Sequence, residues 1–310
     1  MRADFVNEVA RELKIGRRDL IEKDFILHQI LTDLSQDDFF APNFLFKGGT
    51  CLIKCYFGYV RFSEDIDFTW KDQSAFSKMS GKKIRSHLSK VIDKTGGVFE
   101  AIAQKRGLDF KCVKINADYV ELGGSDKTCT LKIWYDSEIL GRRSFVKVQI
   151  NFVEQMCFSP TKGQLSGLLT GKHEGLKALF PDETAEYSKK ILFGVYNIRE
   201  ILCEKVRALL TREGTKARDF LDVYLIWKRF GIRPEDDEEG IVGKIGFSLK
   251  LYAKYRDHLK QKVALLNSGK LFDWGAEKEL LLSDIDEADL YKFLGGFETF
   301  LKRIVAALGY

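Results

Sequence analysis

FKGGTCLIKCYFGYVRFSEDIDF, residues Phe46 to Phe68, is the stretch that decides the reading of this chain. At its end, Asp65 and Asp67 alternate with the apolar Ile66 and Phe68. Alternation is the signature of a strand, whose successive side chains point to opposite faces. The two carboxylates therefore share one face. Like charges so placed repel unless a cation lies between them. A pair of carboxylates on a rigid strand is an oxygen-rich cradle for a hard divalent cation such as Mg²⁺. Upstream, Gly48 and Gly49 let the backbone approach a bulky anion, and Thr50 adds a hydroxyl where a helix is expected to start. Lys47, just before the glycines, is a further cation expected near phosphate. Metal and phosphate sites then fall within one supersecondary unit, as a nucleotide-handling enzyme requires.

The rest of the chain is consistent with a soluble globular protein large enough for one big domain or two ordinary ones. It has 310 residues, 45% hydrophobic and 31% charged. Only four prolines interrupt it, which favours long helices over an all-β design. No apolar run is long enough to span a membrane, and the charged start MRADFVNEVARELK lacks the apolar stretch of a secretion signal. A cytoplasmic location is expected. The six cysteines (Cys51, Cys55, Cys112, Cys129, Cys157, Cys203) and four histidines are dispersed without zinc-ligand spacing, so reduced, mostly buried thiols are expected.

Periodicity divides the chain. Helical spacing covers the first 35 residues with a break near Gly16, and returns over residues 76–106, where Gly96 and Gly97 read as a stop. Phe110 to Ile115, Cys129 to Tyr135 and Phe145 to Phe152 alternate as strands, separated by turns at Gly123-Gly124 and Gly141. From Val195 the pattern is helical. Asn197 is the expected N-cap of a helix through Leu210, followed by helices over Ala217 to Phe230, Leu249 to Leu266 and Ala288 to Leu308. The fold class is α+β: a sheet domain over 1–190 and a helical domain over 191–310.

A second constellation lies in NIREILCEKVRALLTREGTKARDFLDVYLIW, residues 197–227. Lys205 precedes Arg212 by two helical turns on nearly the same face, and Arg218, Asp219 and Asp222 cluster at the start of the next helix. A hairpin held by surface ion pairs is one reading. A cationic patch facing phosphates is the other, since Lys189 to Arg218 carries eight basic residues against three acidic ones.

Taken together, GGTCLIKCY, RFSEDIDF, EKVRALLTR and KARDFLDVY resemble the nucleotidyltransferase-like toxins of the AbiEii and MenT type, within the polymerase-β-like superfamily. IEKDFILHQIL, residues 21–31, resembles the family's Glu-Lys-Asp opening, in Glu22, Lys23 and Asp24. The resemblance implies a mixed sheet lobe with flanking helices carrying the metal and a helical lobe closing on the nucleotide. It implies transfer of a nucleoside monophosphate from an NTP, in the MenT branch to the 3′ end of tRNA, and a cognate antitoxin. By position, Gly49 and Thr50 would bind triphosphate, Asp65 and Asp67 Mg²⁺, Arg61 and Ser63 would steady the metal strand, Lys205 would offset phosphate charge, and Arg218, Asp219 and Asp222 match the last motif. One departure stands out. In FVKVQINF, residues 145–152, Gln149 occupies the place of the superfamily's third carboxylate. Asp219 or Asp222 fills that role, or one tightly held metal suffices, or the protein binds nucleotide as a regulatory module without transfer. Transfer onto a protein acceptor is a further alternative.

Overall fold

The computed structural model describes residues 2–76 and 79–310, which form two compact units. The first comprises residues 1–154 and 160–195, the second 155–159 and 196–310. No helix among the described residues is long and apolar enough to cross a membrane.

The first unit opens with α1 (Arg2–Leu13), α2 (Arg18–Leu34) and the short α3 (Phe40–Asn43). Then come β1 (Phe44–Lys47), α4 (Gly48–Cys51) running into a π-helical turn (Leu52–Phe57), and β2 (Asp65–Trp70). The long α5 (Gly81–Arg106) precedes β3 (Val120–Gly123), β4 (Thr128–Ser137), β5 (Arg142–Asn151) and β6 (Thr161–Leu165). α6 (Glu174–Leu179), α7 (Pro181–Tyr187) and β7 (Ile191–Val195) complete it. The seven strands make one mixed sheet in the order β3-β4-β5-β2-β1-β7-β6, with β2 parallel to β5, β1 parallel to β7 and the other pairs antiparallel.

One face of this sheet is apolar. Phe44, Phe46, Ile66, Phe68, Val148 and Ile150 are buried there, and Phe40 of α3 stacks on Phe44 at 4.2 Å and edges onto Phe68 and Phe99. The alternate residues Asp65, Asp67, Lys147, Gln149 and Asn151 are half-buried on the opposite, polar face.

Three local expectations are corrected. Phe110 to Ile115 is not a strand: Asp109 makes an isolated bridge to Trp134, and the chain then turns, with the Val113 amide bonded to the Lys111 carbonyl. Gly96-Gly97 does not stop α5. A side chain at Gly96 would lie 2.0 Å from Cys112 Sγ, so glycine is there to admit a neighbour, and the helix ends instead at Gly107. The helix expected from residue 76 starts at Gly81, with Phe76 closing a separate turn (Gln73–Phe76) and residues 77–78 outside the described residues.

The second unit is helical: α8 (Ile198–Thr211), α9 (Ala217–Phe230), α10 (Glu238–Leu251), α11 (Lys254–Asn267) and α12 (Glu287–Ala307). Asn197 caps α8, its side chain accepting from the Arg199 amide at 2.9 Å. The single helix expected over Leu249 to Leu266 is two, because the chain leaves helical geometry at Tyr252. Residues 155–159 are held in this unit by a fully buried ion pair, Lys244 with Glu200. Glu200 accepts from the Cys157 and Phe158 amides at 2.7 and 2.8 Å, and Lys244 donates to the Gln155 carbonyl at 2.7 Å. Burying this pair is tolerable only because its remaining hydrogen-bonding capacity is used.

Beneath the π-helical turn of the first unit lies another buried network. Asp24 of α2 pairs with Lys54 at 3.0 Å and accepts from Tyr59 and Tyr187, each at 2.7 Å. It fastens the segment that follows Gly48-Gly49 to α2. Next to it, His28 is buried, with Nε2 3.0 Å from the Lys189 carbonyl. Burial, reinforced by the Lys54 charge and opposed by Asp24, pushes the imidazole down to about 3. An unfolded histidine takes up a proton near pH 6.5, which the folded one refuses. Stability is therefore expected to fall as pH drops from 6.5 toward 3, by up to about 1.4 kcal/mol per pH unit from this group. Urea unfolding across that range should show a shallower slope in His28→Gln; an unchanged slope would remove His28 as the cause.

Candidate active site

The site is built where β1 ends. Lys47 is the register partner of Asp67 in the antiparallel β1–β2 pair, so Gly48 turns the chain directly beside that carboxylate. Gly48 has φ +77°, and a Cβ there would lie 2.2 Å from Asp67 Oδ2. Both facts demand glycine. The second glycine serves packing: a Cβ on Gly49 would lie 2.9 Å from Arg61 Nη2. Arg61 is itself buried and donates to the Phe62 carbonyl at 2.8 Å.

Thr50 joins the turn to β2. Its buried hydroxyl donates to the Asp65 carbonyl and lies 2.9 Å from Ser63 Oγ. Arg61, Ser63 and Thr50 thus form a clasp behind the turn, and the threonine side chain faces the protein. No side chain caps α4, whose first amides have no partner within the helix. Lys47 is buried and engages Glu154 at 2.8 Å, and Glu154 also accepts from Asn151 at 3.1 Å.

On the polar face, β5 runs parallel to β2 with Lys147 opposite Asp65 and Gln149 opposite Asp67. Lys147 Nζ lies 3.0 Å from Asp65 Oδ2. No cluster of three or more Asp, Glu, His or Cys side chains among the described residues could hold a metal. The carboxylates of this face that could hold a hard cation are Asp65 and Asp67, with the neutral Gln149 in register beside Asp67. That set fits one cation completed by water or phosphate oxygens. A cavity of about 720 Å³ opens elsewhere, three strands from β2, between the π-helical turn and β6, and none of these residues lines it.

The remaining candidates lie in the second unit. Lys205 pairs with Asp219 at 3.1 Å and with Asp222 at 2.7 Å, and Arg212 reaches Asp219 at 2.7 Å. Both aspartates are buried. This hairpin is held by buried ion pairs, not by surface ones. Burial raises the Asp219 carboxyl, but Lys205 and Arg212 outweigh it and hold the group below the usual carboxylate range. Lys262 of α11 supports the connecting turn, donating to Thr215 Oγ1 at 2.9 Å, while His258 lies 3.0 Å from the Thr211 carbonyl. Arg218 turns to Glu277, its amide donating at 3.0 Å.

Lys147 and Glu154 were missed from the sequence. Alternation in FVKVQINF already put Lys147 on the face of Gln149, but its pairing with Asp65 depends on a parallel register that no local pattern carries.

A family model described as nucleotidyl transferase AbiEii toxin, type IV TA system, matches residues 29–303. Among solved structures, the chain is similar to MenT4, a nucleotidyltransferase toxin from Mycobacterium tuberculosis, at 18% identity over 98% of both chains with a TM-score of 0.50. It is also similar to JHP933 from Helicobacter pylori, at 17% identity over 94% of each chain with a TM-score of 0.41. A nucleotidyltransferase described as putative from the same organism matches at 17% identity over 92% of this chain and 93% of that one, with a TM-score of 0.40. A search of curated proteins gives no match.

Three variants test this geometry. Gly48→Ala should cost clearly more stability than Gly107→Ala, which sits at φ +64° with nothing within 4 Å of a new Cβ and should lose only about 1 kcal/mol. Equal losses in chemical denaturation would refute the Asp67 contact. In the second unit, the depressed Asp219 carboxyl contributes stability that is lost as pH falls through its folded value. Lys205→Met removes the largest of the charges that lower this carboxyl, so the variant should lose less stability than the parent on acidification; parallel pH profiles would contradict this.

Proposed function

The chain belongs to the AbiEii family of nucleotidyl transferase toxins of type IV toxin–antitoxin systems, and from that premise we propose that it transfers a nucleoside monophosphate from an NTP to RNA, with the 3′ end of tRNA as acceptor. The family makes it a nucleotidyltransferase with a nucleotide substrate and an antitoxin partner. One observation carries the finer reading: the Asp67 carboxylate lies against Gly48, at the start of a helix with uncapped amides. A carboxylate pair for a cation and a turn for phosphates are thereby adjacent.

In this reading Asp65 and Asp67 hold Mg²⁺, which when bound polarises phosphate oxygens and offsets their charge. Gly48, Gly49 and Thr50 receive the triphosphate through their backbone. Arg61 and Ser63 keep that turn in register with β2. Lys205, Arg212 and Arg218 compensate phosphate charge, with Asp219 and Asp222 orienting Lys205 and Arg212. The acceptor hydroxyl oxygen bonds to the α-phosphorus as the bond from that phosphorus to the α–β bridging oxygen breaks. Pyrophosphate leaves, and the hydroxyl proton passes to solvent. Positioning and charge compensation account for most of the rate in such transfers.

An RNA acceptor is supported by Lys82, Lys83, Arg85 and Lys90, all exposed on the first turns of α5. A second reading, nucleotide binding without turnover, draws on Gln149 beside Asp67. Incubation with each labelled NTP and total tRNA separates the two. Label is expected on tRNA and should fall at least about 100-fold when Asp65 and Asp67 are both changed to alanine. Binding without transfer would favour the second reading, and label on a protein hydroxyl would reassign the acceptor.

A further inference from the structure

One charged group on the polar face of the sheet has no role in the transfer just described. Lys147 faces Asp65 across the β2–β5 pair, and its ammonium lies 3.0 Å from the carboxylate. On its other side, the β4–β5 register places Lys132 directly opposite Lys147. Like charges at such a pair repel unless each is drawn toward an acid. Lys132 turns away, to Glu121 and to the Ala117 carbonyl at 3.0 Å. Lys147 turns to Asp65. Beside Asp67 stands Gln149, which is neutral. Asp65, Asp67 and Lys147, together with the Lys47–Glu154 pair beside Asp67, make three acids against two lysines, so the cradle carries a single net negative charge. Two divalent ions about 3.5–4 Å apart repel strongly and need several carboxylates to hold them together. This cradle matches one.

We propose that the site takes a single divalent cation and that Lys147 supplies, as a fixed ammonium, the positive charge that a second metal ion provides in two-metal enzymes. The inference rests on the nucleotidyltransferase reading of Asp65 and Asp67. It makes Lys147 a charge-compensating residue with an unusual signature. Removing its ammonium frees Asp65, so metal binding tightens while transfer slows. A residue that merely braced the sheet would weaken both.

The test is Mn²⁺ alone titrated into the full chain, with free manganese read by electron paramagnetic resonance. The parent should bind one ion per chain, lost when Asp65 and Asp67 are both changed to alanine. Lys147→Met should bind one ion about tenfold more tightly, yet transfer about 100-fold more slowly. Lys147→Glu should bind two, and Lys147→Arg, which keeps the charge, should bind one with the parent's affinity. Two ions in the parent, both lost in the double aspartate variant, would overturn this inference and leave the transferase reading standing. Equal or weaker binding by Lys147→Met would likewise overturn it. Binding that survives loss of both aspartates would sink the inference and the metal site together.

Discussion

The contact between the Asp67 carboxylate and the bare α-carbon of Gly48 is the constraint on which the rest of this site depends. It exists because β1 ends at the residue paired with Asp67 and the chain turns at once, with positive φ, into α4. Everything nearby protects that turn. Arg61 fills the space beside Gly49, Thr50 ties the first helical turn to the Asp65 backbone, and Asp24 anchors Lys54 one turn further on. These contacts hold the Gly48 turn and the Asp67 carboxylate in one fixed arrangement.

Buried charge is the second theme, and it recurs in both units. Lys54 with Asp24, Lys244 with Glu200, and Lys205 with Asp219 and Asp222 are ion pairs largely withdrawn from water. Such pairs contribute little net stability, because desolvation offsets most of their attraction, but losing one partner costs about 3–5 kcal/mol. Their effect is to fix geometry. The Lys244–Glu200 pair holds residues 155–158 by their backbone. The Lys205 cluster aligns two cations on one carboxylate, where a hydrophobic hairpin would leave them free.

Much of this was legible in the sequence, for physical reasons that differ from residue to residue. The side-by-side placement of Asp65 and Asp67 follows from strand periodicity alone, and Asn197 announced its helix by capping chemistry. The family membership that motif order implied is matched over residues 29–303. The pairing of β2 with β5 was hidden because strand pairing is non-local: nothing near Lys147 says that Asp65 will lie opposite. Gly96 misled because close approach by Cys112 and helix termination both select glycine, and sequence shows only the selection. Phe110 to Ile115 alternates as a strand would, yet it pairs through one bridge at Asp109 and buries Phe110 against Phe99 and Tyr119 instead.

In the proposed function one surface, from Gly48 to Asp67, receives both a metal ion and a triphosphate. A crystal structure with Mn²⁺ and a non-hydrolysable NTP analogue, with manganese located by anomalous scattering, addresses it directly. A manganese peak shared by the Asp65 and Asp67 carboxylates is expected, with phosphate oxygens on the amides of Gly48 to Thr50. Manganese or triphosphate bound elsewhere, with that carboxylate pair untouched, would contradict it.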